Sequence, residues 1–344
     1  MSLLERAEKS LAYHFDVLVT PQTPPRLVAA MRHAVFSSGA RVRPQLCTAV
    51  ALACGDDAPG LSDAMGSAIE LMHCASLVHD DMPAFDNADT RRGQPTVHKA
   101  FGEPLALLTG DALIVLAYQV LAHAGAQQPQ RLGALVRNLS AGVGVPSGIV
   151  AGQAWECEVR ADLSEYQRAK TGALFVAATC GGALAAGADP QHWTPLGAFL
   201  GEAYQVADDI RDVMGHAQAL GKPVGQDALH GRPSVAQSLG LAGAVVYFQN
   251  LMDQAVGSIP DCGARELLSQ VVRRESERLV PTSICEAVGQ PYPHLQSVPA
   301  AVEAPGAGNA VASRRAGWHT RPGASQLVGG RAGVRATPAG RLVQ

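Results

Sequence analysis

The amino-acid sequence predicts an all-helical protein built as a single large helical bundle. Aromatic residues make up only 5% of the chain, whereas alanine and glycine are abundant. No long run of alternating β-branched residues indicates a β-strand, and alanine favours helix. The chain has 344 residues, which is enough to bury a sizeable core. We therefore expect an all-α fold.

Apolar periodicity and proline positions predict the helices in chain order. A first helix over 3–18 ends before Pro21, and a second ends near Gly39. A turn from Gly39 to Pro44 carries Arg41 and Arg43 and leads into the next helix. Further helices are predicted over 45–53, 60–79, from Thr109 onward, over 196–214 and over 264–279.

The chain divides by composition into a helical domain, residues 1–290, and a tail, residues 291–344. The tail is dominated by proline, glycine, alanine and arginine, and it has no apolar periodicity. A segment of this composition cannot bury a core, so we predict that it is disordered.

Charge and cysteine content exclude several functional classes. The net charge of −3 argues against a nucleic-acid-binding surface. The seven cysteines include no C-x-x-C pair and indicate small core residues in a reducing compartment. The N-terminus lacks the apolar core of a signal peptide, and no charge-free apolar stretch of about 18 residues is seen. We expect a cytoplasmic protein without a transmembrane segment.

A dense carboxylate cluster follows the helix predicted over 60–79. Asp80, Asp81 and Asp86 lie close together, and Arg91 and Arg92 follow them. Like charges this close raise the cost of ionising one another, so a cation is expected among them. Oxygen ligands point to Mg²⁺ shared with substrate phosphates, and guanidinium groups suit phosphate oxygens.

Two simpler interpretations of this cluster are a solvated acidic turn and a calcium loop. The calcium-loop pattern needs an oxygen ligand at position 88 and glycine at 91, where the chain has Ala88 and Arg91. Pro83 interrupts the helix between Asp81 and Asp86, which allows Asp80 and Asp86 to converge.

A second carboxylate motif lies within the helix predicted over 196–214. Asp208 and Asp212 are four residues apart and share one helix face, where like charges destabilise unless a cation bridges them. A single motif of this kind is more commonly an exposed helix face. Two such faces across a bundle, with basic residues between them, predict a site for Mg²⁺ ions and one diphosphate.

Through these two motifs, the chain resembles the trans-isoprenyl diphosphate synthases, also called polyprenyl synthetases, over about residues 26–288. The family's two aspartate-rich motifs are similar to Asp80-Asp81-x4-Asp86 with Arg91-Arg92-Gly93, and to Asp208-Asp209-Ile-Arg-Asp212. The resemblance implies the class I isoprenoid synthase fold with its active site in a central cavity. It also implies a homodimer, with the helix from Thr109 at the interface.

The resemblance implies Mg²⁺-dependent prenyl transfer from an allylic diphosphate (dimethylallyl, geranyl or farnesyl) to isopentenyl diphosphate. Three Mg²⁺ ions are implied, held by Asp80, Asp86 and Asp208, with Asp81, Asp209 and Asp212 in support. The groups implied for the allylic substrate are Arg91, Lys170 and Lys222, with Thr171 and Gln205 facing the carbocation. Those implied for isopentenyl diphosphate are Arg43, His73 and Arg92.

Two of these residues also have simple structural interpretations. A histidine in a helix is usually a satisfied core residue, and only the family position makes His73 a substrate contact. A lysine at a helix start is usually solvated. If the Lys170 ammonium is buried, it requires an anionic partner.

Small residues one turn before Asp80 predict the length of the product. In the family, a large aromatic residue at these positions stops growth at fifteen carbons, and here they are Ala75 and Ser76. The resemblance is strongest to members that serve carotenoid and chlorophyll pathways. It implies a twenty-carbon product, geranylgeranyl diphosphate.

The chain departs from the family pattern in a few places. Ala40 stands where the family has a lysine that binds isopentenyl diphosphate, and we expect Arg41 to compensate. Arg232 and Ser234 stand where lysine and threonine are more common. The alternatives kept open are a farnesyl diphosphate synthase, a class I terpene cyclase, and a non-catalytic partner subunit of another prenyltransferase.

Overall fold

The prediction of an all-α fold is confirmed by the structure, a computed structural model that describes residues 1–37, 39–158, 163–214 and 235–287. The first seven helices are α1 Leu3–Leu18, α2 Pro25–Phe36, α3 Val42–Ala53, α4 Pro59–Asp80, α5 Val97–Phe101, α6 Glu103–Gly125 and α7 Pro129–Val143. The next seven are α8 Ile149–Trp155, α9 Leu163–Gln167, α10 Ala173–Ala185, α11 Thr194–Met214, α12 Val235–Gly257, α13 Arg265–Leu279 and α14 Thr282–Ala287.

Two irregular helical segments interrupt this series. One turn of π-helix, Arg168–Gly172, joins α9 to α10 and is called the π-turn below. A short 3₁₀-helix, Pro190–Trp193, precedes α11. Within α12, Gly240 has a φ of 70° and kinks the helix. The predicted disordered tail, 291–344, lies outside the described residues.

Local sequence explains where several helices begin. Ser2 caps α1, because its hydroxyl accepts a hydrogen bond from the Glu5 N–H while the Glu5 carboxylate accepts one from the Ser2 N–H. Helices α2, α4, α6 and α7 each carry proline in their first turn, where a missing N–H costs nothing.

Helix α3 begins earlier than the sequence predicted. Its first residue is Val42, so Arg43 and Pro44 lie in the first helical turn and not in the preceding loop. Proline is favoured at this position because its φ angle is already helical. The side chain of Arg43 is therefore fixed by a helix.

Two large apolar clusters hold the bundle together, and α10 contributes to both. One cluster is formed chiefly by α1, α2, α4, α6, α7 and α10, with Met72, Leu113 and Leu139 fully buried. The other joins α3, α10, α11, α12 and α13 around Phe175 and Phe248. Many of the predicted site residues come from α3, α4, the π-turn and α11, and the two clusters pack these helices together. Asp86, Arg91 and Arg92 lie in the segment that follows α4.

A two-stranded hairpin, which the sequence did not predict, follows the first aspartate motif. Strand β1, Thr90–Arg91, pairs antiparallel with β2, Gln94–Pro95. The two residues between them, Arg92 and Gly93, have φ angles of 52° and 76°. Positive φ at both central residues defines the tight hairpin turn that glycine favours. The hairpin brings Arg91 back to the end of α4, where it pairs with Asp81, and places the Arg92 side chain beside Gly39.

One described helix, α6, is long and apolar enough to cross a membrane by length and composition, which the sequence interpretation had missed. Its inner face is nevertheless part of the core, because Leu113, Val120 and Leu121 are fully buried. The core helix of a globular bundle has this same character, so the finding is weak evidence for a membrane span.

Candidate active site

The first aspartate motif lies where α4 ends. The helix stops at Asp80, three residues before Pro83, as the proline predicted. Two backbone hydrogen bonds close the loop that follows: the Asp86 N–H donates to the Asp80 carbonyl at 3.0 Å, and the Ala88 N–H donates to the Asp81 carbonyl at 3.1 Å. The loop thus folds Asp86 back toward the end of the helix.

Asp81 and Arg91 form a two-pronged ion pair within this motif. Arg91 Nε lies 2.9 and 2.8 Å from the two Asp81 carboxylate oxygens, and Nη2 lies 2.6 Å from Oδ1. Burial opposes the charge on Arg91, but the bonds to Asp81 and the charges of Asp80 and Asp86 raise its pKa. Asp81 therefore holds Arg91 in a fixed orientation.

Asp80 is the carboxylate of this motif with an unsatisfied buried oxygen. Its Oδ1 atom is buried and has no hydrogen-bond partner among the described residues. The Lys170 ammonium lies 3.5 Å from Oδ1, and Arg91 Nη2 lies 3.6 Å from Oδ2. Lys170 is therefore the ion-pair partner of Oδ1, and Arg91 is that of Oδ2. Because Oδ1 accepts no hydrogen bond, its lone pairs remain suited to a metal ion.

Glycines bring the π-turn into close contact with two helices. A Cβ atom at Gly152 of α8 would lie 2.3 Å from the Lys170 backbone nitrogen, and a Cβ at Gly201 of α11 would lie 2.4 Å from the Gly172 Cα. Only glycine permits backbones to approach this closely. Lys170 and Thr171 are therefore fixed between α8 and α11, on a π-helical turn of the kind that is frequent at functional sites.

Lys170 has the anionic partner that its burial required. Its ammonium donates to the Glu156 carboxylate, and Glu156 Oε1 also accepts a 2.6 Å hydrogen bond from the Tyr166 hydroxyl. The sequence analysis assigned no role to Glu156. Its position four residues after Gly152, on the same helix face, is the signal that identifies it.

A chain of hydrogen bonds connects the π-turn to the second aspartate motif. The Thr171 hydroxyl donates to Gln205 Oε1 at 3.0 Å, and Gln205 Nε2 donates to Asp209 Oδ1 at 3.1 Å. Asp209 Oδ2 accepts the backbone N–H of Val235, the first residue of α12, at 2.7 Å. Asp209 is 1% exposed, so it orients Gln205 and holds the start of α12.

The remaining aspartates of the second motif are less buried than Asp209. Asp208 is exposed and pairs with Arg211 three residues later. Asp212 lies one helical turn further on and is partly buried. Among the described residues, no group of three acidic, histidine or cysteine side chains converges closely enough to hold a metal ion. Each nearby cation pairs with a carboxylate: Arg91 with Asp81, Lys170 with Glu156 and Asp80, and Arg211 with Asp208.

Arg43 presents a buried cation with an unused donor. Its guanidinium carbon lies 4.4 Å from the centre of the Phe175 ring, and among the described residues its Nε has no hydrogen-bond partner. Burial lowers the pKa of Arg43, and the nearby charge of Arg92 adds to this effect. A fixed cation with an unsatisfied donor is suited to an anionic ligand.

His73 is surrounded by positive charge. Burial, followed by the charges of Arg43 and Arg92, places the pKa of His73 well below its usual value. The imidazole is therefore neutral at pH 7, and it can offer a hydrogen bond to an anion without carrying charge. The side chain of Arg92 packs beside Gly39, where an added Cβ would lie 2.9 Å from Arg92 Nη1. Arg43, His73 and Arg92 thus form one basic cluster.

The expectation that Arg41 compensates for Ala40 is wrong. Arg41 is 3% exposed, and its Nε and Nη1 donate to Glu8 at 2.8 Å and to Glu70 at 2.7 Å. Its Nη2 donates to the Val35 carbonyl at 2.5 Å. The buried carboxylate of Glu70 requires this cation, so Arg41 joins α1, α2 and α4 and is not available to a substrate.

The two residues predicted to set product length lie on α4, where they precede the first motif in the chain. Ala75 is 1% exposed and belongs to the cluster that includes Met72 and Leu113. The Ser76 hydroxyl donates to the His73 carbonyl at 2.9 Å. Lys222, Arg232 and Ser234 lie outside the described residues.

Comparison with known proteins gives the same family that the motifs suggested. Residues 24–259 match the sequence profile of the family described as polyprenyl synthetase. The chain is 50% identical over 288 residues to the geranylgeranyl diphosphate synthase of Cereibacter sphaeroides, covering 84% of this chain and 100% of that protein. It is 48% identical over 280 residues to the enzyme of the same name from Rhodobacter capsulatus, covering 81% of this chain and 97% of that protein.

The fold is also found among solved structures. A geranyltransferase from Helicobacter pylori, solved in complex with magnesium and isoprenyl diphosphate, is similar with a TM-score of 0.70 and 27% identity. The similarity covers 80% of this chain and 96% of that one.

Proposed function

Because this chain belongs to the polyprenyl synthetase family, we propose that it joins isopentenyl diphosphate to an allylic diphosphate and makes geranylgeranyl diphosphate. The family resemblance inferred from the two motifs is thereby confirmed. The geometric observation that carries the proposal is the placement of the π-turn. Lys170 lies beside Asp80 of the first motif, while Thr171 is bonded to Gln205 beside the second. This placement supports a single site between the two motifs.

The carboxylates fit Mg²⁺, which the family uses. The support is the unsatisfied Oδ1 of Asp80 together with a donor set composed of oxygen atoms. Asp80, Asp86 and Asp208 would hold the ions, three in number, with Asp81 and Asp212 in support. When bound, Mg²⁺ acts as a Lewis acid that neutralises charge on the departing diphosphate.

Arg91 and Lys170 are proposed to bind the allylic diphosphate, joined by Lys222. Both described cations are oriented by carboxylates, Arg91 by Asp81 and Lys170 by Glu156. Fixed donors of this kind stabilise developing negative charge without reorganising during the reaction. As the C–O bond breaks, the electron pair leaves with the diphosphate and an allylic cation remains.

Thr171 and Gln205 are suited to stabilise that cation. The Thr171 hydroxyl uses its only proton to bond Gln205 Oε1, which leaves oxygen lone pairs available toward positive charge. Gln205 is itself oriented by Asp209. Isopentenyl diphosphate, held by Arg43, His73 and Arg92, supplies the π-electrons for the new C–C bond. The proton released in this step goes to the departing diphosphate.

We further propose that the protein acts as a homodimer through the outer face of α6. Leu108 and Val115 lie two turns apart and are 51% and 56% exposed, with Leu107 beside them at 50%. An apolar stripe of this kind on a long helix fits a second copy of the same chain. Sedimentation of the wild-type chain as a dimer and of Val115→Glu as a monomer would support this, whereas a monomeric wild type would contradict it.

Product analysis tests the proposed function. The purified chain is incubated with Mg²⁺, labelled isopentenyl diphosphate and each allylic starter, and the products are separated by chromatography. We expect a twenty-carbon product, which would supply the synthesis of carotenoid- or chlorophyll-type isoprenoids. A fifteen-carbon end product would indicate a farnesyl diphosphate synthase. Consumption of geranylgeranyl diphosphate alone would indicate a cyclase, and inactivity of the pure chain would indicate a partner subunit.

A further inference from the structure

We infer that Glu156 is the positioning residue for Lys170, fixing the lysine ammonium beside the first aspartate motif. This inference rests on the proposed function, because Lys170 matters only if the site binds a diphosphate. Glu156 bonds the Lys170 ammonium, which in turn lies 3.5 Å from Asp80 Oδ1 of the first motif. We assign the influence of Glu156 on the reaction to this contact with the lysine.

The carboxylate of Glu156 is held from several sides. Oε1 accepts hydrogen bonds from the Lys170 ammonium and, at 2.6 Å, from the Tyr166 hydroxyl. Oε2 accepts a 3.1 Å hydrogen bond from Gln153 Nε2. A carboxylate bonded by neutral donors on both oxygens is itself fixed, so it can fix a flexible lysine.

The backbone enforces the same pairing. Glu156 directly follows α8 and keeps helical backbone angles, so four residues after Gly152 it lies on the same side of the helix, toward the π-turn. Gly152 lets this face approach the Lys170 backbone, where an added Cβ would lie 2.5 Å from the Lys170 Cα. The main chain of Lys170 thus packs against α8 at Gly152, and its ammonium group is bonded by Glu156.

Exposure and charge indicate what the ion pair between Glu156 and Lys170 does. The Lys170 and Glu156 side chains are 23% and 14% exposed, so the ion pair is partly shielded from water. A lysine side chain has several rotatable bonds and would otherwise sample many positions. Held by Glu156, its ammonium stays 3.5 Å from Asp80 Oδ1, where the family's first motif would present the diphosphate.

The kinetic consequence is a loss of turnover with little change in substrate binding. In Glu156→Gln, the site loses a negative charge, which favours binding of the allylic diphosphate, but it also loses the fixed position of Lys170. These two effects oppose each other in the ground state. In the transition state, charge builds on the leaving diphosphate, and a correctly placed ammonium matters more. We expect kcat to fall by about tenfold or more, with the allylic KM changed less than about threefold.

A double-mutant cycle tests the inference. Glu156→Gln is made in the wild type and in Lys170→Gln, and kcat and KM are measured for each protein. Because Glu156 acts through Lys170, the second substitution should cause no further loss in the Lys170→Gln background. Glu158→Gln is the matched control, since Glu158 is exposed and only two residues away, and it should keep wild-type kinetics.

A further variant separates positioning from a purely structural role. Glu156→Asp keeps the charge on a shorter side chain and should have a kcat between those of the wild type and Glu156→Gln. If Glu156→Gln does not fold, Glu156→Asp is used in the same cycle. The thermal unfolding midpoint of each variant is also measured. It should not follow kcat across the variants, because a purely structural role would lower both quantities together.

The inference is overturned if Glu156→Gln leaves kcat unchanged, or if it lowers kcat by the same factor with and without Lys170. A wild-type chain that forms no prenyl product is a different result, because it removes the proposed function and not only the role of Glu156.

Discussion

The guanidinium of Arg91 donates hydrogen bonds to both carboxylate oxygens of Asp81 through Nε and Nη2, at distances of 2.6 to 2.9 Å. This pair links the end of α4 to the hairpin, two segments separated by a turn-rich loop. Asp81 is 4% exposed, so the pair is shielded from water. It fixes the position from which Arg91 is proposed to meet the allylic diphosphate.

Replacing Arg91 with lysine is expected to be damaging although the charge is kept. Lysine has no planar fork, so it cannot bond both oxygens of Asp81 and remain in place. We expect Arg91→Lys to lower kcat/KM for the allylic diphosphate by about tenfold to a hundredfold. Arg26→Lys, which changes an exposed arginine of α2, serves as the control in steady-state assays. Equal activity of both variants would contradict the role given to the Asp81–Arg91 pair.

Adding one methyl group at Gly152 is expected to disrupt the π-turn. The new Cβ would lie 2.3 Å from the Lys170 nitrogen, and backbone atoms cannot move aside as a flexible side chain can. We expect Gly152→Ala to reduce the free energy of unfolding by about 1–3 kcal/mol, measured in urea, and to reduce turnover.

The matched control for that substitution is Gly133→Ala, in the middle of α7. The nearest atom to a Cβ there is the end of the Arg137 side chain, at 3.6 Å. Alanine should raise stability by up to about 1 kcal/mol at this position. If both variants behaved alike, the close packing of α8 on the π-turn would not be the reason for Gly152.

Ala75 is expected to control product length. It is 1% exposed on the α4 turn that precedes Asp80. A tyrosine there would obstruct growth of the prenyl chain, so Ala75→Tyr should shift the product from twenty carbons to fifteen, as measured by chromatography. Ala75→Ser, which barely changes the volume, should retain the longer product. An unchanged product in Ala75→Tyr would show that this residue does not limit product length.

Acid is expected to destabilise the protein partly through His14 on α1. Burial, with a smaller contribution from the charge of His123, lowers the pKa of His14 to about 4. Because the unfolded chain takes up this proton near pH 6.5, the stabilising contribution is complete above that pH and is lost as pH falls toward 4. At pH 5 the loss from this one group is about 2 kcal/mol.

Urea unfolding at pH 7.5 and pH 5 measures this effect. The decrease in stability between the two pH values should be smaller in His14→Phe than in the wild type, because phenylalanine fills a similar volume and does not titrate. Groups other than His14 are present in both proteins, so their contribution is common to the two measurements. Identical decreases would show that His14 does not carry the effect.

The sequence was most informative where charge and helix periodicity coincide. The two aspartate motifs, the end of α4 before Pro83 and the need of Lys170 for an anion all follow from local chemistry, and the structure agrees with the last two. The family assignment, which depended on both motifs together, is confirmed. Most predicted helix ends lie within a few residues of the observed ones, but α6 begins at Glu103, six residues before the predicted Thr109.

Side-chain partners from distant segments were less predictable. The role of Arg41 depends on Glu8 and Glu70, which approach it only after α1 and α4 have packed. Glu156 meets Lys170 because Gly152 permits close contact between α8 and the π-turn, and a π-helical turn has no periodicity signal. The hairpin was missed because strands of two residues are too short to show alternation.

Metal dependence of the Asp80 carboxylate tests the central claim most directly. The rate of twenty-carbon product formation is measured with added Mg²⁺ and with a chelator, for the wild type, Asp80→Asn and the exposed control Asp253→Asn. We predict that chelation stops the wild type and Asp253→Asn, that Mg²⁺ restores both, and that Asp80→Asn loses about a hundredfold or more in kcat. Turnover that persists under chelation, or an Asp80→Asn variant as active as the wild type, would contradict the account.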